Sequence, residues 1–559
     1  MLRLEKLHLA EWLSGYSAAR LAPDAIAGVS LAAFVIPESL AYASLAGLPP
    51  VSGLYCYFAA GVAYAFLGGS RQLAVGPTSA LALAVAAGTA ALAAGDPAHA
   101  VALSGALAVM LGFIAIGGRF LGLANLAYFF SDPVVTGFKT GAAFYIASTQ
   151  LPKLLGLEAG GGNFFERLWN VMALLPDASL LSLAIGLSAI VVFLLLDRVL
   201  PGRPTTLIVV AAAIVATAVL DLGKSGVHLV GRLPQGLPLP QFPAVRLADL
   251  GELVPTAFAC LLLAYSEAIS VARSFAQKHG YEIDPVRELT ALGAANLAVG
   301  LFRGFPVSGG MSQTAVNDMN GATSPMSLIV TSIIVALTLI FFTGLFRNLP
   351  EPVLGAIILM AAKHLVKLEE LRELKAVSRS EFAIALAALL GVLAFGPLQG
   401  LLLAAIGSLI ILIARASRPA VVVLARDPLT GQYVNKARHP GAEEAPSALV
   451  VRSAGGWVYF NAESVRRGFL ELIAQAPSPP KIVVIDCSMV PTIDVTALAS
   501  LRALAAALAS QGIGLRLAEL RDDVADSLRQ RGAERDLGPI AAHRTVDACL
   551  FDRSDGSPT

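Results

Sequence analysis

Charge is scarce in this chain: 14% of its 559 residues are Asp, Glu, Lys or Arg, and 40 basic against 39 acidic side chains leave a net charge of +1. A near-neutral surface lacks the field that a nucleic-acid partner requires. Cysteine is scarcer still. Cys56, Cys260, Cys487 and Cys549 lie far apart, with no CxxC pair and no metal-ligand spacing, so neither a disulfide nor a metal site is expected. No cleavable leader is legible, because residues 1–22 mix Glu5, Lys6, Glu11 and Arg20 with apolar positions and read as a cytoplasmic interfacial segment. No catalytic constellation, P-loop, dinucleotide fingerprint or hydrolase triad is present, which argues against an enzyme and against a cofactor.

What the chain has in abundance is apolar length. Hydrophobic residues make up 56%, and a mean hydropathy of +0.72 places most of the chain in a bilayer. Between residues 24 and 415 the apolar runs number about fourteen, taking ~20 residues per crossing. Basic residues such as Arg71, Arg119, Arg203, Lys278, Arg372 and Lys375 fall in loops on the side of the two termini. Both ends are therefore expected in the cytoplasm.

Two of these runs are broken. LFRGFPVSGGMSQTAVNDMNGATSP (301–325) and GGSRQLAVGPTSA (68–80) interrupt apolar sequence with Gly, Pro and hydroxyls. Pro306 and Pro77 are expected near the first turns of short helices. Irregular backbone survives in a membrane only where it is buried in protein or lines a wet cavity. A helix that begins there brings about half a positive charge and free N–H groups, which is an anion site. Pro77 follows Glu38 by 39 positions and Pro306 follows Glu267 by the same 39. Seven runs per half, an odd number, would make the two halves inverted repeats, with the site between them.

Ionisable groups inside such runs are costly and functional by default. Glu267, in LLAYSEAISVARS, is read as the proton- or cation-coupling group. Glu38, beside Pro37, is either a second proton site or a carboxylate bonded to broken backbone. Lys139 either neutralises Glu38, Glu267 or the anion, or snorkels to the interface. Phe34, one turn before Glu38, either walls the cavity or faces lipid and core. Asn317 and Asp318 are taken as structural.

Beyond Pro419 the pattern changes. Residues 419–446 read as a linker, and 447–555 as an α/β domain with strands at 447–453, 457–460, 481–486 and 514–520 and helices at 462–475, 495–511 and 522–532. Asp494 is placed to cap the second of these helices.

PPVSGLY (49–55), GSRQLAVGPTSA (69–80), YEIDPVREL (281–289), FPVSGGMSQTAVN (305–317) and NGATSP (320–325) resemble the landmarks of the SulP family of sulfate permeases and solute-carrier anion transporters. DCSMVPTIDVTAL (486–498) resembles that family's C-terminal STAS domain. The resemblance implies an α-helical polytopic membrane protein of about fourteen segments in two inverted seven-segment repeats (core and gate domains), plus a cytoplasmic α/β STAS domain. Residues 23–418 would form the transporter, with repeats over about 23–223 and 248–418. It implies a homodimer in the inner membrane that binds a small anion on the backbone of Ala74, Val75, Gly76, Pro77, Thr78, Gly309, Gly310, Met311 and Ser312, coupled at Glu267; Ser308, a polar group at the same helix start, is read as joining that site. Where exchangers of the family carry Arg, this chain has Gln313, which favours cation-driven symport with Lys139 supplying the charge. Thr496 stands where STAS relatives carry a phosphorylated hydroxyl. Proton-coupled sulfate symport is the leading reading. Bicarbonate with sodium, dicarboxylate with protons, and an anion-sensing receptor that signals through the STAS domain are the alternatives.

Overall fold

In a computed structural model that describes residues 10–14, 16–123, 132–157, 162–200 and 205–551, the chain divides into two compact units, residues 1–408 and 409–559. Residues 1–9 and 15 of the expected interfacial segment lie outside the described residues, as do Arg203 and the end of the C-terminal domain from 552. What is described of the interfacial segment is one 3-10 turn, Glu11–Leu13, tied down by Trp12 Nε1 donating to Ala65 O at 2.7 Å.

The first half of the membrane unit runs α1 (Ala18–Leu45), α2 (Val51–Leu67), α3 (Ser79–Ala93), α4 (Pro97–Gly118), α5 (Asp132–Leu155), α6 (Phe164–Ala173), α7 (Leu180–Val199) and α8 (Thr205–Leu220). The second runs α9 (Leu247–His279), α10 (Pro285–Leu301), α11 (Met311–Met319), α12 (Met326–Leu337), α13 (Glu351–Lys363), α14 (Leu368–Val377), α15 (Arg379–Phe395) and α16 (Pro397–Ala416), the last running across the division between the units. A helix stands on every expected apolar run. The sequence reading missed α6 and α14, which are amphipathic rather than apolar throughout and occupy the same place in the two halves. Among the described residues, α1, α4, α7, α9 and the continuous stretch Met326–Asn348 are long and apolar enough to cross a membrane.

Small residues allow the close packing on which the site rests. A Cβ on Gly53 would lie 1.9 Å from Ser39 O, so α2 can lie against α1 only with Gly at that position. Helices α1, α2, α10 and α12 share one buried core with α3, α4 and α9, α11 packs on α1, and α5 packs on α13, α15 and α7.

The second unit is a five-stranded sheet built from β3 (Val421–Arg426), β4 (Tyr433–Asn435), β5 (Ala448–Ser453), β6 (Ile482–Asp486) and β7 (Gly514–Ala518), in the order β4-β3-β5-β6-β7; β1 and β2 belong to the membrane unit and are given below. Strands β5, β6 and β7 are parallel, and β3 is antiparallel to both of its neighbours. Helices α17 (Ala462–Ala474), α18 (Val495–Ala509), α19 (Asp522–Gln530), α20 (Glu534–Leu537) and α21 (Val546–Phe551) complete it. Alternate residues go to opposite faces: Val451, Val483 and Ile485 pack with Trp457, Phe469 and Leu501, whereas Val450 and Val484 pack with Val546 and Cys549.

Two expectations fail here. The stretch 419–446 is not a linker throughout, because VVVLAR is a short apolar run rich in β-branched valine that supplies β3, and β4 returns beside it as a hairpin. WVYF (457–460) is not a strand. Only Trp457 bridges, to Ile493; Asn461 Oδ1 then accepts from Val458 N at 2.9 Å and Asp494 Oδ2 from Tyr459 N at 2.6 Å, turning the chain into α17. Asp494 also caps α18, its Oδ1 accepting from Ala497 N at 2.8 Å. Because Asp494→Ala removes both contacts, it is expected to cost about 1–2 kcal/mol. The check is the urea midpoint of a fragment beginning at 417, which should fall with unchanged slope.

Candidate functional site

The two broken stretches meet. Val75–Gly76 (β1) pairs antiparallel with Ser308–Gly309 (β2), Val75 opposite Gly309 and Gly76 opposite Ser308. The seam is completed by Gly310 N donating to Ala74 O at 3.2 Å and Ala74 N to Thr314 Oγ1 at 3.1 Å. Only glycine fits at position 76, since a Cβ there would lie 2.1 Å from the Tyr57 ring. The pairing explains a departure from expectation: neither proline stands in a helix's first turn. The backbone on both sides stays extended through the seam, so α3 starts at Ser79 behind the cap Thr78, and α11 at Met311 behind Gly310.

From the seam both short helices begin at one cavity of about 330 Å3. Thr78 and Ser79 come to it from α3, and Gly310, Met311, Ser312 and Gln313 from α11. The first bond within α11 is Thr314 N to Gly310 O, so the N–H groups of Met311, Ser312 and Gln313 precede the helical ladder. Each helix start carries about half a positive charge. Glu267 from α9 and Glu38 from α1 face the same space, with Lys139 from α5 opposite in sign. Glu267 Oε2 accepts from Thr78 Oγ1 at 3.2 Å. Buried Glu38 accepts from Tyr42 OH at 2.7 Å, while Gln313 Nε2 donates to Pro77 O at 2.8 Å and reaches Glu38 Oε2 at 3.4 Å. Gln313 thereby braces the start of α11 against both the backbone that leads into α3 and Glu38.

Of the residues predicted for the site, Glu38, Thr78, Lys139, Glu267, Gly310, Met311, Ser312 and Gln313 line this cavity. Ala74, Val75, Gly76, Ser308 and Gly309 do not; they form the seam behind it, and Ser308 Oγ donates to Ala264 O at 2.7 Å. Pro77 takes part through its carbonyl. Phe34 is half-buried against the helical core and is not on the cavity wall. Thr496 lies exposed on α18 in the other unit. The sequence reading missed Tyr42, Ser270, His364 and Lys367. Tyr42 and Ser270 were within reach, at i+4 from Glu38 and i+3 from Glu267, one helical face each.

The loop that leads into the seam is held by buried side chains outside the cavity lining. Buried Glu288 on α10 accepts from Tyr64 OH at 2.6 Å, Gly69 N at 2.7 Å and Ser70 N at 3.0 Å, fixing the loop that enters β1. Gln72 accepts from Tyr281 OH at 2.7 Å and from Asn317 Nδ2 at its carbonyl, tying that loop to α11. Asn317 and Asp318 are thus structural, Asp318 pairing with Lys278 at 2.6 Å.

Short helices that begin at one cavity with two carboxylates on its wall, inside a helical bundle, are the arrangement of a membrane transporter's substrate site. Residues 21–388 match the sulfate permease family and 439–548 the STAS domain, and the chain belongs to the sulfate permease family. It is 34% identical over 518 residues to a probable sulfate transporter of Mycobacterium tuberculosis, covering 93% of this chain and 91% of that one. It is 32% identical to a sodium-independent sulfate anion transporter of Bos taurus, covering 91% and 85%. Its fold is that of the murine Slc26a9 anion transporter, solved in the inward-facing state, with a TM-score of 0.90 at 24% identity over 99% of this chain and 96% of that one. The transmembrane domain of the cyanobacterial bicarbonate transporter BicA shares the fold at a TM-score of 0.62 and 21% identity, over 71% and 98%. The family is one of sulfate and anion transporters, not of enzymes.

Proposed function

We propose that the chain is a secondary active importer that carries sulfate inward with protons. The observation that carries this reading is the convergence of two helix starts, two carboxylates and Lys139 on one cavity. Helix starts and unpaired N–H groups suit an oxyanion that has no proton to donate. A carboxylate within the same space offers a place for the coupled proton, since neutralising it removes repulsion of the arriving anion. Sulfate is chosen because the two sequence relatives named above, a probable sulfate transporter and a sodium-independent sulfate anion transporter, match almost the whole chain.

The site comprises Thr78, Gly310, Met311, Ser312 and Gln313 for the anion, Glu267 and Glu38 for the proton, and Lys139 as the fixed cation. The seam residues Ala74 to Pro77, Ser308 and Gly309 position these groups. Residues 23–418 act as the transporter, in repeats 23–223 and 248–418, by an elevator-like exchange of access. A cytoplasmic STAS domain begins at β3, and the protein works as a homodimer in the inner membrane with both termini in the cytoplasm.

The test is uptake of radiolabelled sulfate into proteoliposomes. Uptake that rises several-fold under an inward proton gradient, and not under a sodium gradient, is the expected result. Bicarbonate or fumarate uptake without sulfate uptake would overturn the substrate.

A further inference from the structure

A second cavity, of about 470 Å3, adjoins the first, and Lys139 and Ser270 belong to the walls of both. Its other walls include Thr136 on α5 and Glu370 and Glu373 on α14, with Asp132 at the start of α5. Lys367, which lines the first cavity, turns its ammonium to Glu370 Oε1 at 2.9 Å, and Glu370 Oε2 accepts from Thr136 Oγ1 at 2.8 Å. The Lys367 backbone N is fixed by Thr140 Oγ1 at 3.2 Å, so this end of α14 is anchored on α5. Glu370 is thus a carboxylate on the wall of the second cavity, engaging a cation of the first cavity and a hydroxyl of the second that an oxyanion could engage.

Partial burial pushes the Glu370 carboxyl up, but the Lys367 ammonium and the Thr136 hydroxyl outweigh it and hold the group below its ordinary value, so it is an anion at neutral pH. The pair remains accessible, its side chains 37% and 47% exposed. Ion pairs this open contribute little to stability. A dianion approaching between Lys139 and Lys367 can therefore displace Glu370.

We propose that Lys139, Lys367 and Thr136 form a second station for the transported anion, and that Glu370 holds it in the anion's absence. The proposal rests on the reading of the chain as an anion transporter, but not on which anion it carries. Asp132 and Glu373, the remaining charges of the second cavity, repel anions, so an anion there depends on Lys139 on its wall and on Lys367, which Glu370 engages beside it.

The test is electrostatic. Val135 lines the second cavity one turn before Lys139, and the four native cysteines are buried. In detergent-solubilised full-length Val135→Cys protein, modification rates are compared for anionic sulfonatoethyl and cationic trimethylammonioethyl methanethiosulfonate. Adding Glu370→Gln should raise the anionic-to-cationic rate ratio by about tenfold, and adding Lys367→Met should lower it by a similar factor. A ratio that neither variant moves overturns the station. Glu370→Gln should also lower the half-saturating sulfate concentration from the α14 side of reconstituted vesicles several-fold. If the ratio shifts while that concentration stays unchanged in vesicles where the wild type transports sulfate, Glu370 does not compete with the substrate, and the proposal falls. Wild-type vesicles that move no sulfate would count against the proposed substrate instead, and the reagent ratio would still decide the station.

Discussion

Glu267→Gln is expected to abolish the response of sulfate uptake to an inward proton gradient, reducing gradient-driven initial rates by at least about tenfold. The argument is Coulombic. A dianion about 6 Å from an ionised carboxylate is repelled by about 5 kcal/mol at an effective dielectric constant near 20. A carboxyl on the cavity wall thus opposes the anion when charged and ceases to oppose it when protonated. Glutamine is close in shape to the neutral form and can still accept from Thr78 Oγ1, the contact that joins Glu267 to the start of α3. The variant should therefore bind sulfate and exchange internal for external sulfate, yet be indifferent to pH. Initial rates with and without the gradient, alongside sulfate counterflow, make the check. Full gradient stimulation in the variant would exclude Glu267. If Glu38→Gln alone lost it, coupling would move to the carboxylate that Tyr42 and Gln313 hold.

Much of this site was legible before any coordinates. The equal spacing from Glu38 to Pro77 and from Glu267 to Pro306 marked stretches that turn out to pair across the two halves. Ionisable residues in apolar runs stood out because a membrane tolerates so few. What stayed hidden was hidden for physical reasons. Which backbone groups remain free depends on partners far away in sequence: Ala74 N and Gly310 N suit an anion until Thr314 and Ala74 are seen to engage them. Helix α14 carries LEELRELKAV, whose charges excluded it from any search for apolar runs. Its neighbour Lys367 consequently read as a loop cation rather than part of a cavity wall. Strand β3 was mistaken for linker because its short apolar run follows Pro419 directly and is set apart from the next long strand by the polar stretch 427–446.

Asp24→Ala is expected to destabilise the membrane unit by about 4 kcal/mol, in line with breaking a buried charged network. Asp24 is fully buried in the first turns of α1. Its Oδ1 accepts from Thr323 N at 2.6 Å and Ser324 N at 3.1 Å, and its Oδ2 from Ser324 Oγ at 2.6 Å and Tyr16 OH at 2.9 Å. Alanine would leave two backbone N–H groups without their acceptor, in the turn that leaves α11. That turn matters to the site because α1 carries Glu38 and α11 carries Gln313, and the two side chains meet across the cavity. Loosening it should release Gln313 from Pro77 O and reduce sulfate uptake along with stability. Asp24→Asn keeps one acceptor oxygen and should lose about half as much. Thermal unfolding in detergent measures the first effect, and amide exchange in the peptide 320–326 localises it. Unchanged exchange there, despite a lower unfolding temperature, would mean that the buried carboxylate stabilises α1 alone and does not hold α11 in place.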